Sequence, residues 1–473
     1  MPYPIANQLN ELITKDLQHI WHPCSQMHDY EDFPPIVVDS AKGSYLYLAD
    51  GSKVIDAISS WWCKSLGHNH PVLKAALLKQ LDKFEHVLLA NTTNTVITEL
   101  SAKLATLMPH LTRVFYASDG SCAVEIAMKM SLQARQLQQS IEHIAVQQAS
   151  ASVQQASVTM QVPRTGFLAL ENSYHGETIL ALAASDLGIY KKPFTAILPK
   201  IDFLTGFPYV SSMHDPLWHN CSSYWPNILR QLEALKYTLT AIIVEPIVQG
   251  AGGMLIYSAD FLQRLATWAQ NNDIHLIADE IMTGFGRTGL PLACQHANIK
   301  PDFICIAKGL TSGWLPLSAV LTTDAIYQLF YDDHATGKAF LHSHTHSGNA
   351  LAASVALACL QVMEQENIYA IAQQRGALML QLMQQIALTT GKLQNIRSIG
   401  AIVAADLIIP PQHPPESRLG FMVYKAAMAR GALLRPLGNT IYWLPPLNVP
   451  LETLYELQAI TKQAITDVYA ILS

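Results

Sequence analysis

Charged residues are scarce in this chain of 473 residues, at 14%, while half of the residues are hydrophobic. That balance indicates a compact globular protein of about two to three domains with a large buried core. The formal net charge of −6 offers no basic field of the kind that attracts nucleic acid or anionic lipid. The composition therefore favours a protein that acts on small molecules.

Cysteines in a metal-binding or disulfide pattern are also missing, as are long apolar runs. The cysteines are odd in number and form no C-x-x-C spacing, which argues against a zinc cluster and against a disulfide framework. The longest apolar run, near 350–360, is too short to cross a bilayer and is interrupted by Ser354. The first residues lack the basic and apolar regions of a signal peptide, so we expect a cytoplasmic protein. The cysteines are Cys24, Cys63, Cys122, Cys221, Cys294, Cys305 and Cys359.

Three short apolar segments in the middle of the chain each end in polar residues. They read AIIVEPIVQGAGG from residue 241, HLIADEIMTGFGRTG from residue 275 and DFICIAKGLT from residue 302. Such segments, with helical stretches between them, are typical of parallel strands that are buried on both faces. Ligands of such sheets bind beyond the carboxyl ends of the strands. The sequence therefore predicts an α/β fold in which Glu245, Asp279 and Lys308 meet at one crevice.

One amine and two carboxylates at a crevice point to a definite chemistry. Burial lowers the pKa of a lysine, and the neutral amine is the form that joins covalently to a carbonyl. A carboxylate paired with a pyridine nitrogen makes that ring an electron sink, so Lys308 and Asp279 form the pair that a pyridoxal-phosphate enzyme needs. Taken singly, Lys308 fits a lysine with a buried stem and Asp279 fits a helix cap. The order D-E-x-x-x-G-F-G-R-T-G, followed by A-K-G, favours the catalytic interpretation.

An earlier segment supplies a candidate phosphate site. The residues RVFYA at 113–117 predict a strand, SDGS predicts a turn, and CAVEIAMKM predicts the helix that follows. The free N–H groups and the positive dipole end of such a helix suit a phosphate, with Gly120 and Ser121 nearest to the anion. The alternative is an ordinary N-cap formed by Ser118 or Asp119.

Two tryptophans and an arginine are candidates for the substrate site. The pair Asp50-Gly51 predicts a hairpin, after which Trp61 and Trp62 are adjacent. Two neighbouring residues of a regular element do not face one core, so we expect one indole to pack inward and the other to line a pocket. Arg435, on an apolar strand of a predicted strand pair, is suited to bind a substrate carboxylate with its planar fork.

Three alternating histidines invite a metal interpretation. His342, His344 and His346 would share one face of a strand. A metal site needs three or four converging ligands, and no carboxylate or cysteine lies near this segment in the sequence. We therefore predict no metal.

Other stretches bear on the organisation of the fold. The residues LSAVLTTD after Lys308 predict an antiparallel strand that closes the sheet. The Gln/Ser-rich stretch at 132–164 is predicted to extend a helix and then to loop over the surface without any chemistry. We expect residues 1–70 to form an N-terminal segment of a small domain, 71–340 the large cofactor-binding domain and 341–473 the C-terminal small domain.

The stretch from Asp279 to Lys308 closely resembles the signature of class III pyridoxal-phosphate aminotransferases. Further residues resemble the subfamily that acts in biotin synthesis, namely WHP near the start, SSWW, NSYHG, EPIVQGAGGM and LLRPLGNTIY. The match runs from about residue 20 to the C-terminus, except for the Gln/Ser-rich stretch and an irregular stretch near 211. The resemblance implies a fold-type I pyridoxal-phosphate transferase, with a mostly parallel seven-stranded sheet in the large domain and a small α/β domain. It implies amino transfer from S-adenosylmethionine to 8-amino-7-oxononanoate.

The resemblance also implies roles for individual residues. Lys308 would hold the aldehyde of pyridoxal 5′-phosphate and move the proton, Asp279 would pair with the pyridine nitrogen, and Tyr174 would stack on the ring. Gly120 and Ser121 would bind the phosphate, as would His344 and Thr345 from the neighbouring subunit, which makes a homodimer with shared active sites obligatory. The other residues implied at the cofactor or the substrates are Glu245, Trp61, Trp62, Ser343, Arg287, Arg435 and Cys24, with Arg435 on the substrate carboxylate.

Three departures from the family pattern concern the amino donor. Cys24 stands where the family commonly has a tyrosine that contacts substrate, Glu177 stands where it has an aspartate, and HSHTHSGN at 342–349 replaces the more usual HGPTFMGN. A missing phenol removes contacts worth about 1–3 kcal/mol, which a tyrosine from elsewhere in the chain can restore. The alternatives are lysine as the donor, another class III aminotransferase acting on ω-amines, ornithine or 4-aminobutyrate, and a cofactor-binding scaffold without activity.

Overall fold

The computed structural model describes residues 6–150, 163–414 and 417–472. Within these ranges the strands, numbered in chain order, are β1 (Val38–Lys42), β2 (Tyr45–Leu48), β3 (Lys53–Asp56), β4 (Arg113–Ala117), β5 (Gly166–Leu170), β6 (Asp202–Leu204), β7 (Tyr209–Val210), β8 (Leu239–Val244), β9 (Val248–Gln249), β10 (Leu255–Tyr257), β11 (His275–Asp279), β12 (Phe303–Ile306), β13 (Ser318–Thr322), β14 (Leu393–Ile399), β15 (Ile402–Leu407), β16 (Ala432–Leu433) and β17 (Thr440–Trp443). The α-helices are α1 (Ala6–His19), α2 (Ser59–Trp62), α3 (Pro71–Leu81), α4 (Thr95–Ala105), α5 (Gly120–Ser150), α6 (Ile179–Ala183), α7 (Gly188–Lys191), α8 (Pro216–His219), α9 (Trp225–Leu235), α10 (Ala259–Asn271), α11 (Asp324–Phe330), α12 (Ala350–Gln365), α13 (Ile368–Thr390), α14 (Leu419–Met428) and α15 (Leu451–Leu472).

The central sheet has seven strands in the order β4-β13-β12-β11-β8-β5-β6. Strands β12, β11, β8, β5 and β6 pair in parallel, whereas β13 is antiparallel to both of its neighbours, β12 and β4. The expectation of a mostly parallel seven-stranded sheet is confirmed. The expectation that β13 closes the sheet is wrong, because β4 pairs with its outer edge.

The strands of this sheet are buried on both faces because their side chains alternate between two hydrophobic cores. On β8, Ala241 and Ile243 pack in the core built on α5, while Ile242 and Val244 pack in the core that contains residues of α10 and α12. This arrangement explains the continuous apolar runs, since neither face of a strand meets solvent. The polar residues that follow each run are thereby forced to the ends of the strands.

Helix α12 packs with the large sheet. Its N-cap, Asn349, accepts a hydrogen bond from the N–H of Ala352 at 3.0 Å, and its buried face includes Ala353 and Cys359 of the first core. The second core contains Ile55 and Ala57 of the N-terminal segment together with residues of α13, such as Met379, and of α14 and α15. The domain boundary at residue 341 stays a prediction. Helix α12 follows that boundary in the sequence but shares its core with the large sheet.

One smaller sheet, β1-β2-β3-β16, joins the N-terminal segment to the C-terminal part of the chain, and a second, β14-β15-β17, lies within that C-terminal part. The hairpin predicted at Asp50-Gly51 is confirmed, since β2 and β3 pair antiparallel on either side of it. Strand β16 pairs in parallel with β3, whereas β17 pairs with β15, so the expectation that these two form a strand pair with each other is wrong. Arg435 accordingly lies just beyond β16 and not on a strand.

The Gln/Ser-rich stretch is described only in part. The predicted continuation of a helix beyond residue 132 is confirmed as far as Ser150, and the predicted surface loop lies outside the described residues. In the described part of the chain, no helix has the combined length and apolarity that a bilayer crossing requires.

Candidate active site

The three polar residues of the central segments meet at one cavity. Strands β8, β11 and β12 are neighbours in the sheet and run in the same direction, so Glu245, Asp279 and Lys308 follow them at the same edge. All three line a cavity of about 1340 Å³, whose lining also includes Arg435 and the exposed Trp61. We call the end of the cavity at these two residues its mouth. The predicted crevice is therefore present.

Lys308 presents its amine inside this cavity. Its backbone has a positive φ of 39°, which a lysine rarely adopts and which turns the chain sharply after β12. The Nζ atom lies 4.7 Å from the centroid of a Trp62 ring. Burial lowers the pKa of Lys308, and the opposing effects of Asp279 and Glu245 are smaller. The surroundings therefore favour the neutral, nucleophilic amine more than water does.

Asp279 is fixed by two hydrogen bonds. One carboxylate oxygen lies 2.8 Å from Nδ1 of His175, and the other accepts from the N–H of Ile281 at 3.1 Å. His175 is itself buried, and its Nε2 atom has no hydrogen-bond partner among the described residues. Sequence reasoning did not select His175, although its place in the motif NSYHG was a usable signal. The pair sets the orientation of the carboxylate toward the cavity.

Glu245 orders the backbone around Tyr174. One of its carboxylate oxygens accepts from the N–H of Tyr174 and the other from the N–H of Gly250, each at 2.9 Å. Burial raises the pKa of Glu245 to about 7, although the nearby His175 acts in the opposite direction. These contacts give Glu245 a positioning role at the wall of the cavity.

The raised pKa of Glu245 predicts a pH-dependent stability. A carboxyl whose pKa is higher in the folded than in the unfolded protein binds its proton more tightly when folded, so stability is lost as pH rises from about 4.5 to about 7. The expected loss from this group is about 3 kcal/mol. Glu245→Gln removes the titrating group, and the difference in Tm between variant and wild type should change across pH 5–8. Parallel pH profiles of Tm for the two proteins would contradict this assignment.

The start of α5, where the phosphate is predicted to bind, lies at the cavity. Gly120 opens the helix, and the hydroxyl of Ser121 accepts hydrogen bonds from the N–H groups of Glu177 at 3.2 Å and Thr178 at 3.0 Å. Asp119 also caps this helix, because its carboxylate accepts from the N–H of Cys122 at 3.0 Å. The alternative of an N-cap at Asp119 is thus confirmed, and Gly120 and Ser121 line the cavity. Phosphate binding at this helix start stays a prediction.

The two tryptophans are presented by a strained loop. Ser59, Ser60 and Trp62 all have positive φ angles, of 53°, 59° and 65°. Trp62 is buried at 6% exposure and donates from Nε1 to the Tyr442 hydroxyl at 2.9 Å, whereas Trp61 is 44% exposed. The expectation that one indole packs inward and the other lies at a pocket is confirmed, although both line the cavity.

Asp56 holds this loop in place. Its fully buried carboxylate accepts from the N–H of Ser60 at 2.7 and 2.8 Å and from the Ser60 hydroxyl at 3.1 Å, and it pairs with Nε2 of His68 at 2.7 Å. Three residues in the left-handed region cost free energy that these contacts offset. Asp56 therefore holds the loop that places both indoles at the cavity.

Asp56→Asn is expected to destabilise the protein by about 3 kcal/mol, because an amide has one accepting oxygen in place of two and its NH2 group would face N–H groups that the carboxylate accepts from. Thermal unfolding gives the loss, and tryptophan fluorescence reports whether the loop relaxes. Asp50→Asn is the matched control, since Asp50 also accepts N–H and O–H bonds, but from Ser52 in an exposed turn. Equal effects of the two substitutions would contradict the anchoring role of Asp56.

The mouth of the cavity carries opposite charges on either side of Cys24. Arg435 donates from Nη2 to the backbone oxygen of Cys24 at 2.7 Å, and its guanidinium carbon lies 4.8 Å from the centroid of a Trp61 ring. The Cys24 thiol lies 3.9 Å from Oε1 of Glu177, which also accepts from the Tyr174 hydroxyl at 3.0 Å. These groups are therefore brought together as predicted.

Arg287 is placed differently from its predicted role at the substrate. Its side chain is 2% exposed, it is absent from the cavity lining, and Nη1 donates to the backbone oxygens of Ala401 and Pro445 at 3.3 and 2.7 Å. Burial lowers the pKa of Arg287 to about 9. The guanidinium joins the segment after β11 to the C-terminal part of the chain, so we assign it a structural role.

The residues at 343–345 do not line the cavity of their own chain. Ser343, His344 and Thr345 lie in the segment before α12, where the backbone oxygen of Thr345 meets Nε2 of His86 at 2.8 Å. This segment is not a strand, so the alternation of the three histidines does not place them on one strand face. Among the described residues, no group of three or more His, Cys, Asp and Glu side chains is arranged to hold a metal ion.

The residues present fit pyridoxal 5′-phosphate. One cavity is lined by an amine with a lowered pKa, a carboxylate fixed by His175 and a helix start with Ser121. His175 also lines it, and its buried Nε2 has no hydrogen-bond partner among the described residues. Lys308 would hold the aldehyde, Asp279 the pyridine nitrogen and the start of α5 the phosphate. The fold and the site thus fit an enzyme in which a lysine would bind an aldehyde cofactor covalently.

Comparison with known proteins bears on the class of enzyme. The family profile described as aminotransferase class-III matches residues 26–465. An adenosylmethionine-8-amino-7-oxononanoate aminotransferase from Helicobacter pylori is 38% identical, covering 94% of this chain and 95% of its own, and one from Synechococcus elongatus is 36% identical, covering 96% and 97%. The crystal structure of such an enzyme from Methanocaldococcus jannaschii has a TM-score of 0.85 at 30% identity, covering 97% of this chain and 99% of its own. An amine transaminase from an uncultivated Pseudomonas species, in its PLP-bound form, has a TM-score of 0.83 at 28% identity, covering 95% and 99%.

The chain belongs to the class-III aminotransferase family. The resemblance seen in the sequence is thereby confirmed, as are the fold-type I architecture, the assignment as an aminotransferase and the dependence on pyridoxal phosphate.

Proposed function

We propose that this enzyme transfers an amino group from S-adenosylmethionine to 8-amino-7-oxononanoate, giving 7,8-diaminononanoate in biotin synthesis. Relatives that carry this activity in their names match nearly the whole chain. The observation that carries the proposal is a cavity that runs from the Lys308 amine, past two indoles, to the guanidinium of Arg435. Such a cavity suits an amino ketone whose long apolar chain ends in a carboxylate.

Different residues along the cavity have different roles in the reaction. Bound pyridoxal phosphate supplies an electron-poor ring that stabilises negative charge on the substrate carbon. Lys308 moves the proton at that carbon, and Asp279, oriented by His175, holds the ring nitrogen. Tyr174, fixed through its N–H by Glu245, would pack beside the ring. Trp61 and Trp62 exclude water from the apolar part of the substrate.

A homodimer with shared active sites is part of the proposal, as is a cytoplasmic location. The support is that Ser343, His344 and Thr345 are not among the residues that line the cavity of their own chain, so a phosphate contact from this segment would be made in a neighbouring chain. The exposed Leu78, Leu81 and Leu88 offer apolar surface for such a contact. Sedimentation of the active enzyme is expected to give twice the mass of the chain, and a fully active monomer would contradict this part of the proposal.

The test of the reaction is a half-reaction screen. Holoenzyme is mixed with S-adenosylmethionine, lysine, ornithine or glutamate, and the absorbance of the lysine-bound cofactor is followed. Bleaching by S-adenosylmethionine and reversal by 8-amino-7-oxononanoate are expected. Bleaching by lysine alone would overturn S-adenosylmethionine as the donor. Lysine is the second candidate because Cys24 and Glu177 depart from the family pattern. Failure of the amino ketone to restore the absorbance, with restoration by a keto acid, would overturn the acceptor.

A further inference from the structure

Tyr190 lies at the mouth of the cavity and belongs to none of the motifs above. It is carried by α7 and lines the cavity together with Cys24, Glu177 and Arg435. Its ring centroid is 6.0 Å from that of Tyr174, with the planes tilted by 59°. No residue in the described ranges forms a hydrogen bond with its hydroxyl. A half-buried phenol without a protein partner is thus held in position beside the substrate space.

Three ionisable side chains, Cys24, Glu177 and Arg435, influence the Tyr190 phenol. Burial raises the pKa of Tyr190, with smaller contributions from Cys24 and Glu177, while Arg435 acts in the opposite direction. The phenol is therefore protonated at neutral pH and acts as a hydrogen-bond donor. Arg435 and Tyr190 both line the part of the cavity around Cys24 and Glu177. Two such donors suit one anionic group of a ligand.

The small side chain of Cys24 leaves room for this arrangement. Its backbone oxygen binds Arg435 and its thiol lies near Glu177, but the side chain brings no ring and no strong donor into the mouth. Tyr190 lies beside Tyr174, whose hydroxyl already donates to Glu177. The phenol of the mouth that has no hydrogen-bond partner among the described residues is thus supplied by α7 and not by the N-terminal segment.

We propose that Tyr190 is a specificity-determining residue, whose hydroxyl donates a hydrogen bond to the terminal substrate carboxylate that Arg435 also binds. It takes the place of the phenol that position 24 lacks. This inference rests on the proposed function, because it needs an acceptor with a carboxylate at the end remote from the reacting ketone.

The test compares Tyr190→Phe with wild-type holoenzyme on two acceptors, 8-amino-7-oxononanoate and its methyl ester. A hydrogen bond to a charged group is expected to account for about a 10- to 100-fold fall in kcat/KM for the acid, mostly through KM, and for less than about a threefold change for the ester. Tyr237→Phe, which changes an exposed tyrosine outside the cavity, is the matched control and should leave both values unchanged. Cys24→Tyr added to Tyr190→Phe should recover part of the preference for the acid.

Each outcome of this comparison supports or overturns the role of Tyr190. An equal loss on acid and ester, or no loss on either, would overturn the role of Tyr190 while leaving the proposed reaction intact. If wild-type enzyme uses neither acceptor, the proposed function fails and this inference fails with it. The cofactor absorbance of each variant shows that it is folded and loaded, since Tyr190→Phe removes one oxygen atom and no packing.

Discussion

Lys308→Ala is expected to lower the rate of transamination by about 10⁴-fold or more, because one side chain both captures the cofactor and moves the proton. The lowered pKa of Lys308 and its position at the end of β12 concentrate both tasks on this amine. Steady-state turnover of the amine donor measures the loss. Borohydride treatment should fix the cofactor covalently to wild-type enzyme and leave the variant unlabelled at this position.

The control for this substitution is Lys200→Ala. Lys200 has a side chain that is 89% exposed and forms a 3.6 Å ion pair with Asp202, so its loss should change neither turnover nor labelling. Alanine at position 308 removes the buried amine without adding volume, and thermal unfolding should show a folded protein. Turnover by Lys308→Ala at the wild-type rate would refute the mechanism.

The crevice was predictable because parallel strands end at a common edge. The residues that follow β8, β11 and β12 had to converge once those segments were recognised as buried parallel strands, and no long-range information was needed. The order of strands was not predictable in the same way. Local periodicity does not report which strand lies beside which, so β13 proved to be interior to β4, and β16 and β17 joined different sheets.

The details of the site escaped prediction where they depend on distant contacts or on unusual backbone. The sequence SSWW contains no glycine, so nothing in it indicated positive φ at Ser59 and Ser60; the buried Asp56 maintains that conformation. Arg287 belongs to a glycine-rich segment beside the catalytic residues, but its partners are backbone oxygens more than a hundred residues away. Tyr190 belongs to no motif, and only the fold brings it to the mouth.

Asp279→Asn is expected to lower kcat by about 10²–10³-fold while leaving the covalent capture of the cofactor by Lys308 intact. Asparagine can still accept from the N–H of Ile281, but it lacks the charge that holds a pyridine nitrogen protonated. Kinetics of the donor half-reaction measure the loss of rate, and borohydride labelling measures the capture. Labelling without turnover separates the electrostatic role of Asp279 from the covalent role of Lys308.

Asp302→Asn is the matched control at the opposite end of the same strands. Asp302 precedes β12 and accepts from the N–H of Leu276 at 2.8 Å, and burial raises its pKa, so its replacement perturbs the sheet away from the cavity. It should alter Tm and leave kcat within about threefold of wild type, since a change remote from the reacting atoms removes no stabilisation of the transition state. Equal losses of kcat in the two variants would mean that the sheet as a whole, and not the carboxylate at its C-terminal edge, limits the reaction. A large loss in Asp279→Asn alone would locate the electrostatic requirement at the carboxyl end of β11, where His175 fixes the carboxylate that the chemistry uses.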